Sequence, residues 1–251
     1  MKSEFEAYPA PPPARLDMDG IIKSGKKMMW SAVRYRELEM IYSAAMKEIK
    51  TKFEILDSEF DLKYKRNPIS FIQTRLKSMG SVLRKLSKYR LPPTIESIES
   101  GVRDFAGIRI ICPYIDDIYS IADAFLSQDD ITLLEKKDYI ESPKPNGYRS
   151  LHLIVSVPVF FANSKKQVTA EVQIRTVAMD FWASLEHQMR YKRGGEDSKR
   201  IIGELKECAE TIAKTDERML AIRKRLDAEE DVPSEDEELL FRLSKLGDRI
   251  K

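Results

Sequence analysis

The sequence predicts an α/β (α+β) fold: a mixed sheet of about five strands flanked by helices, with a long helix towards each end of the chain. One observation is that short alternating or Ile/Val-rich runs, typical of strands, recur between amphipathic segments. Another is that apolar residues recur at helical spacing over two longer stretches, 28–60 and 196–228. The strand-like runs are 69–77, 105–112, 131–140, 148–157 and 170–175.

The composition is that of a globular protein without a dominant charge. The chain has 251 residues, of which 42% are hydrophobic and 33% charged, and its formal net charge is +2. This length suits one large domain, or one domain with a helical appendage. The small net charge gives no global signal for a nucleic-acid or membrane partner, so RNA binding is not indicated. A phosphate-binding surface would have to arise from local segregation of charge.

The cysteines and the hydropathy pattern indicate a cellular location. Cys112 and Cys208 form no Cys-x-x-Cys pair, which suits a reducing cytosol and argues against a disulfide framework or a structural zinc site. No apolar run reaches the roughly 18 residues of a membrane span, and the N-terminus lacks the apolar region of a signal peptide. We therefore expect a soluble cytoplasmic protein.

We expect three parts along the chain. Residues 1–27 form an extended or disordered tail with a short polyproline tract. Residues 28–195 contain the N-terminal helix and all of the strands. Residues 196–251 form C-terminal helices, a long one and a short one at 239–250, separated by an acidic connector. Their apolar stripes fit core packing and oligomerisation equally well.

A basic window without acidic residues lies between residues 63 and 95, where nine residues are Lys or Arg. Its strand brings Arg75 and Lys77 to one face, and a helix predicted to be capped by Ser78 places Ser81 and Lys85 one turn apart. Cations at a strand end beside a helix N-terminus suit a polyphosphate. The alternative is a basic helix that simply faces solvent.

Two later strands direct polar side chains to one face. Tyr148 and His152 alternate with apolar residues in the first, and Glu171, Gln173 and Arg175 do so in the second. A solvated face is the common explanation of such a pattern. Because short Ile/Val-rich strands followed by helices are usually covered on both faces, a functional site is the competing explanation.

The helix after Thr176 also carries polar residues of interest. It is predicted to present Asp180, Trp182, Glu186, His187 and Arg190 among core positions Val177, Phe181 and Leu185.

Two separated acids suggest a divalent cation. Asp104 lies at the mouth of an Ile-rich strand that also contains Arg109, and Glu171 lies within another strand. Mg²⁺ prefers one or two carboxylates together with phosphate oxygens and water. With the basic window for phosphates and Tyr148 as an aromatic surface for a base, the residues favour nucleotide phosphoryl chemistry. A nucleotide- or RNA-binding module without catalysis, or a nucleotidyltransferase that releases pyrophosphate, are the alternatives.

Four segments carry a resemblance to a known family. RDFAGIRIIC, DYIESPKPNGYRSLH, EVQIRT and AMDFWASLEH closely resemble the synthetase domain of the RelA/SpoT homologue superfamily, in particular its small alarmone synthetases of the RelP-like subgroup. The resemblance implies a nucleotidyltransferase-related fold, with residues 28–195 as the (p)ppGpp synthetase domain. It implies Mg²⁺-dependent transfer of pyrophosphate from ATP to the 3′-hydroxyl of GTP or GDP, with release of AMP. A homotetramer is also implied, with the C-terminal helices as the expected contact.

The resemblance also implies roles for individual residues. Asp104 and Glu171 resemble the Mg²⁺ ligands. Glu186 resembles a general base for the 3′-hydroxyl, and the alternative is that it orients the substrate. Asp180 stands where other relatives carry Asn, which leaves its assumed guanine contact open. The residues implied for ATP are Arg75, Lys77, Ser81, Lys85, Arg109 and Lys137. Those implied for GTP or GDP are Lys144, Asn146, Tyr148, His152, Gln173 and Asp180.

Larger members of the superfamily also hydrolyse alarmone, through a metal site built around a His-Asp pair. The chain has two histidines, and neither precedes an aspartate. We therefore expect synthesis without hydrolysis.

Overall fold

The computed structural model describes residues 18–64, 66–191 and 198–230, and the side chains of 33–64, 66–189 and 200–228. The chain falls into two compact units, Met1–Met40 and Ile41–Lys251. In the first unit the described residues belong to α1, and all strands lie in the second. The helices are α1 (Met18–Tyr64), α2 (Met79–Lys88), α3 (Ile95–Gly101), α4 (Ile115–Leu126), α5 (Val177–Tyr191) and α6 (Ser198–Glu230). The strands are β1 (Phe71–Leu76), β2 (Ala106–Cys112), β3 (Thr132–Asp138), β4 (Leu151–Phe161) and β5 (Ser164–Thr176).

The five strands form one mixed sheet in the order β1-β2-β5-β4-β3. β2 pairs with β5 in parallel, and the other three neighbouring pairs are antiparallel. This confirms the predicted fold. β5 lies at the centre of the sheet because it joins the β1–β2 pair to the β3–β4 pair, and it therefore carries its polar residues to the middle of one face.

Helix α1 differs from its prediction in extent. It begins at Met18, ten residues before the predicted start at Met28, and continues without a break to Tyr64. No proline lies between these residues, so nothing interrupts its backbone hydrogen bonds. The polyproline tract of the predicted tail and the predicted helix at 239–250 lie outside the described residues. Among the described helices, none is both long and apolar enough to cross a membrane.

The core of the second unit lies between the sheet and the helices packed on it. β2 and β4 bury almost every side chain, as expected for strands covered on both faces. Two aromatic pairs join α1 to other parts of this core. Phe53 of α1 stacks on Phe125 of α4 with ring centroids 4.4 Å apart, and Tyr42 of α1 meets the edge of Phe105, just before β2, at 4.7 Å.

The orientation of α5 contradicts the sequence prediction. Val177 and Phe181, predicted as core positions, are 49% and 60% exposed, whereas Trp182, which was not among the predicted core positions, is buried. The reason is packing against α6: the indole Nε1 of Trp182 donates a hydrogen bond to the carbonyl oxygen of Leu205 at 2.8 Å. Leu185 is half-buried, so the predicted core side of α5 is only partly covered.

One other local prediction needs correction. Ser78 occupies the N-cap position of α2, but its hydroxyl makes no capping hydrogen bond and instead donates to Ser81 Oγ at 3.0 Å. On α6, Met219 and Ile222 of the predicted apolar stripe are 49% and 42% exposed in the single chain, whereas Ala209 and Asp216 are buried. Of the two explanations for the stripe, packing within the chain does not account for these two residues.

A buried ion cluster fixes α6 to the domain. The carboxylate of Asp117, at the start of α4, is fully buried, 2.5 Å from Arg66 NH2 and 3.6 Å from Arg223 NH1 of α6. Arg223 also reaches Asp116 at 2.6 Å. Burial raises the pKa of Asp117, and the two arginines oppose that rise. An uncompensated charge would be very unfavourable here, so the cluster depends on all of its members.

Replacing Asp117 with alanine is expected to destabilise the protein by about 3 kcal/mol, because it leaves Arg66 and Arg223 without their shared counterion. Urea unfolding followed by circular dichroism measures this loss. Replacing exposed Glu207 on α6 with alanine is the control and should leave the unfolding midpoint within error. An Asp117→Ala protein as stable as the wild type would show that the cluster does not hold α6.

Candidate active site

A row of polar residues crosses one face of the sheet. Successive strand pairings align Gln73 of β1 with Arg109 of β2, Arg109 with Gln173 of β5, Gln173 with His152 of β4, and His152 with Lys137 of β3. Residues two positions apart share a face of a strand, so Arg75, Gly107 and Glu171 form a second row beside the first. The polar face predicted for two strands therefore extends across all five.

A cleft of about 700 Å³ opens along this face. It brings together seven of the predicted site residues. They are Arg75, Lys77, Ser81, Asp104, Arg109, Glu171 and Gln173. The lining also includes His187, noted on α5 but given no role, and Gly107, whose missing side chain leaves room between Arg75 and Glu171. Basic residues and both predicted metal ligands thus meet in one cavity large enough for a nucleotide.

Asp104 is held by two lysines. Its Oδ2 lies 2.7 Å from Lys77 Nζ, and its Oδ1 lies 2.7 Å from Lys85 Nζ on α2. Burial alone would raise the pKa of Asp104, but the hydrogen bonds and charges of the two lysines outweigh burial and lower it. The carboxylate is therefore ionised at neutral pH, and of the two cations that it holds, Lys77 lines the cleft.

Glu171 is oriented by its neighbours on the sheet. His152 Nδ1 lies 3.1 Å from one carboxylate oxygen, and Gln173 Nε2 donates to the other at 2.9 Å. Burial acts to raise the pKa of Glu171, and hydrogen bonds from His152 and Gln173 reverse that effect and lower it. Asp104 acts on the same pKa by charge repulsion, so the two carboxylates are close enough to interact.

The donor set fits a divalent cation bound together with a substrate. The described residues contain no group of three or more His, Cys, Asp or Glu side chains arranged as a complete metal site. Two ionised carboxylates on one cleft, Asp104 and Glu171, match the partial coordination that Mg²⁺ uses when phosphates and water supply its other ligands. His152 and Gln173 would fix the orientation of Glu171 towards such an ion.

An aromatic group lies beside the cleft, at the predicted acceptor side. The rings of Tyr139 and Tyr148 meet edge to face at 6.1 Å, and Tyr139 also meets His152 at 5.2 Å. The ammonium of Lys144 lies 4.4 Å and 4.7 Å from the centroids of the Tyr139 and Tyr148 rings. Burial raises the pKa of the Tyr148 hydroxyl, which therefore stays protonated and can donate. Tyr139 was not predicted as a site residue, although it belongs to the DYIESPKPNGYRSLH segment.

Arg175 is the main residue that sequence reasoning left without a role. It is almost fully buried, and its NH2 donates to Tyr148 Oη at 3.0 Å and to Gln173 Oε1 at 2.7 Å. Its NH1 donates to Asp180 Oδ1 at 3.2 Å. Burial lowers the pKa of this guanidinium, and Tyr148 and Asp180 counteract the change. The available signal was its position on the polar face of the strand, two residues after Gln173 and four after Glu171.

The remaining predicted residues lie around the aromatic group and at the sheet edge. Asn146 Nδ2 donates to Glu186 Oε1 at 3.2 Å, which joins the turn before β4 to α5. Tyr148 Oη lies 2.8 Å from His152 Nε2. Lys137 is exposed on edge strand β3, and its Nζ pairs with Glu135 at 2.9 Å. The structure thus brings the residues predicted for the acceptor to one side of the cleft and leaves Lys137 at its periphery.

The turn that carries Asn146 is braced by α6. Gly147 adopts a φ of +90°, a conformation that L side chains rarely adopt. A Cβ atom there would lie 2.5 Å from Ala209 Cβ and 3.2 Å from Lys206 Cα. Only glycine satisfies both the backbone and the packing, so α6 sets the position of the turn between Asn146 and Tyr148.

Replacing Gly147 with alanine is expected to destabilise the protein by about 1–3 kcal/mol and to displace the turn, because the new methyl group strains the backbone and meets α6. Thermal unfolding measures the first effect, and the KM for GTP or GDP, the acceptors that the family resemblance implies, measures the second. Gly203→Ala on α6, where a Cβ meets nothing within 4 Å, is the control. A Gly147→Ala protein with unchanged stability and KM would contradict the bracing.

Comparison with known proteins identifies the family. Residues 74–196 match the model described as "Region found in RelA / SpoT proteins". The chain is 44% identical over 188 residues to GTP pyrophosphokinase YwaC of Bacillus subtilis, covering 75% of this chain and 90% of that protein. It is 35% identical over 182 residues to GTP pyrophosphokinase YjbM of the same organism, covering 72% and 85%.

Solved structures agree with these relatives. The fold matches small alarmone synthetase 1 of Bacillus subtilis, bound to its product pppGpp, with a TM-score of 0.70 and 33% identity over 76% of this chain and 97% of that one. It matches small alarmone synthetase 2 of that organism with a TM-score of 0.68 and 40% identity, covering 76% of this chain and 98% of that one. Because it resembles these proteins in both sequence and fold, the chain belongs to the RelA/SpoT family, among its small alarmone synthetases.

Proposed function

We propose that this protein is a GTP pyrophosphokinase that transfers pyrophosphate from ATP to the 3′-hydroxyl of GTP or GDP and yields pppGpp or ppGpp together with AMP. Relatives that it covers over most of their length carry the name GTP pyrophosphokinase, and a similar synthetase was solved with pppGpp bound. The observation that carries the proposal is the single cleft that joins a basic phosphate cradle to two carboxylates, next to an aromatic group.

On the donor side, the cations are proposed to hold ATP. Lys77 and Lys85 lie at Asp104, where they can neutralise phosphate oxygens, and Ser81 adds a hydroxyl at the start of α2. Arg75 and Arg109 are proposed to stack on the adenine, and Lys137 to contact a phosphate from the sheet edge. Phosphoryl transfer needs mainly alignment and charge neutralisation, which this arrangement supplies.

Asp104 and Glu171 are proposed to hold Mg²⁺. When bound, the ion would neutralise charge on the phosphates and help to deprotonate the attacking hydroxyl. The protein's own contribution is to keep both carboxylates ionised and oriented, through Lys77 and Lys85 on one side and His152 and Gln173 on the other.

On the acceptor side, Tyr148 is proposed to stack on guanine. The surrounding acceptor residues are Lys144, Asn146, His152, Gln173 and Asp180. Glu186 is proposed to take the proton of the 3′-hydroxyl or to orient it. Its hydrogen bond with Asn146 connects it to the turn that carries Tyr148, so the base-binding and proton-accepting groups are positioned together.

One assay tests the proposal and separates it from its alternatives. Incubation with ATP, GTP and Mg²⁺ should yield AMP and guanosine pentaphosphate in equal amounts, resolved by anion-exchange chromatography. A nucleotidyltransferase would release pyrophosphate instead, and a binding module would bind nucleotide without turnover. Omitting Mg²⁺ and adding EDTA should abolish the product.

The protein is expected to synthesise alarmone without hydrolysing it. Incubation of the pure protein with pppGpp and Mn²⁺ should leave the nucleotide intact over a period in which synthesis proceeds to completion. Release of pyrophosphate from pppGpp under these conditions would contradict the expectation.

We also propose that the chain forms a homotetramer in the cytoplasm, with residues 196–251 contributing to the contact. Exposed apolar side chains on α6, among them Met219 and Leu226, support a contact with another copy. Light scattering coupled to size-exclusion chromatography tests this, and a monomer at micromolar concentration would contradict it.

A further inference from the structure

One carboxylate oxygen contacts both halves of the site. Asp180 Oδ1 on α5 lies 3.2 Å from Arg109 NH1 of β2 and 3.2 Å from Arg175 NH1 of β5. Arg109 lines the donor cleft, whereas Arg175 binds the hydroxyl of Tyr148. Asp180 is therefore the shared partner of Arg109, which is proposed for ATP, and of Arg175, which orients Tyr148 on the guanine side.

The two arginines differ in their freedom to move. The side chain of Arg109 is 36% exposed, so it can turn towards a nucleotide in the cleft. The side chain of Arg175 is 3% exposed and is enclosed by Tyr148, Gln173 and Asp180. A buried guanidinium depends strongly on its anionic neighbour, because the cost of an unpaired charge in the interior is high.

Both arginines contact the same oxygen of Asp180 at the same distance, 3.2 Å. While Arg109 bonds to Oδ1, the negative charge on this oxygen is shared between two cations. When a bound ATP draws Arg109 away, the carboxylate can bond fully to Arg175. Arg175 is then held more firmly, and so is the Tyr148 hydroxyl that it contacts at 3.0 Å.

We propose that Asp180 is a positioning residue that couples the two substrates: occupation of the donor half releases Arg109 and thereby strengthens the Asp180–Arg175–Tyr148 chain that receives guanine. This inference rests on the proposed function, and it specifies how Asp180 serves the acceptor side, through Arg175 rather than by reading the base. Because coupling of two binding equilibria is reciprocal, the guanine nucleotide must strengthen ATP binding by the same factor.

The test is calorimetric binding of GDP with Mg²⁺, alone and at saturating α,β-methylene-ATP, which cannot transfer pyrophosphate. For the wild type we expect the analogue to tighten GDP binding by about fivefold or more. Asp180→Asn keeps the size of the side chain and removes its charge, so this ratio should fall to within about twofold of one. Glu207→Gln, the same change on the exposed face of α6, is the matched control and should keep the wild-type ratio.

A second variant separates coupling from a structural role and does not disturb the interior. Arg109→Gln removes the half-buried second partner of Asp180, so GDP alone should bind about as tightly as it does to the analogue-bound wild type. A role in folding alone predicts no such gain in affinity.

Arg175→Lys should retain part of the coupling that Arg175→Met loses, because lysine can still pair with Asp180. Thermal unfolding of each variant checks that it is folded.

The outcomes distinguish this inference from the proposed function. A wild type that forms no AMP from ATP and GTP overturns the proposed function. A wild type that is active but shows no coupling overturns only the link through Asp180, and so does a folded Asp180→Asn protein that keeps the wild-type ratio. Unchanged GDP affinity in Arg109→Gln would overturn the competition between the two arginines.

Discussion

Replacing Asp104 with asparagine is expected to lower alarmone synthesis by about a thousandfold. The change preserves the shape of the side chain but removes the negative charge that lies 2.7 Å from both Lys77 Nζ and Lys85 Nζ. It also removes one of the two carboxylates proposed to hold Mg²⁺. Since charge neutralisation is the main contribution of a protein to phosphoryl transfer, the loss should fall on turnover. The rate of AMP formation at saturating ATP and GTP measures it.

The same variant should retain its affinity for α,β-methylene-ATP in EDTA, or gain affinity, because two lysines lose their counterion and become free for phosphate. This combination of lost turnover and retained binding distinguishes a catalytic carboxylate from one that merely supports the fold. Asp129→Asn, in the exposed loop between α4 and β3, is the matched control and should be fully active. Activity of Asp104→Asn within tenfold of the wild type would remove Asp104 from the proposed metal site.

Replacing Tyr148 with alanine is expected to raise the KM for GTP by about 10- to 100-fold, since stacking of a base on an aromatic ring contributes about 1–3 kcal/mol. Binding of α,β-methylene-ATP without guanine nucleotide should change by less than about twofold, because the cleft lining on the donor side does not include Tyr148. Initial rates over a range of GTP concentrations, and calorimetry for the ATP analogue, give the two values.

A phenylalanine at the same position separates the ring from the hydroxyl. Tyr148→Phe keeps the aromatic surface but loses the contacts with His152 Nε2 at 2.8 Å and Arg175 NH2 at 3.0 Å. Its KM for GTP should lie between those of the wild type and the alanine variant. Tyr64→Ala, at the exposed end of α1, is the control. If the substitutions at Tyr148 weakened binding of the ATP analogue as much as they raised the KM for GTP, Tyr148 would support the whole site rather than the acceptor half.

The sequence alone determined that there are five strands and which of their residues are polar, although β4 and β5 extend beyond the predicted runs, to Leu151–Phe161 and Ser164–Thr176. Alternation along a strand is a local property, so Glu171 and Gln173 could be placed on one face without knowing the neighbouring strands. The basic window with Lys77 and Lys85 was equally visible, because it depends on composition alone. The four family segments then supplied expected roles that neither composition nor spacing could provide.

Only the tertiary structure decided what these residues contact. The parallel pairing of β2 with β5 places Arg109 beside Gln173, although the two strands are far apart in the sequence. The packing of α6 turned Trp182 inward and Phe181 outward, against the pattern of α5 alone. Burial of Arg175 and the contact of both Arg175 and Arg109 with Asp180 likewise required three separate elements to meet. Periodicity assigns a side chain to a face, whereas long-range pairing and helix packing determine what that face meets, and these lie beyond any local pattern.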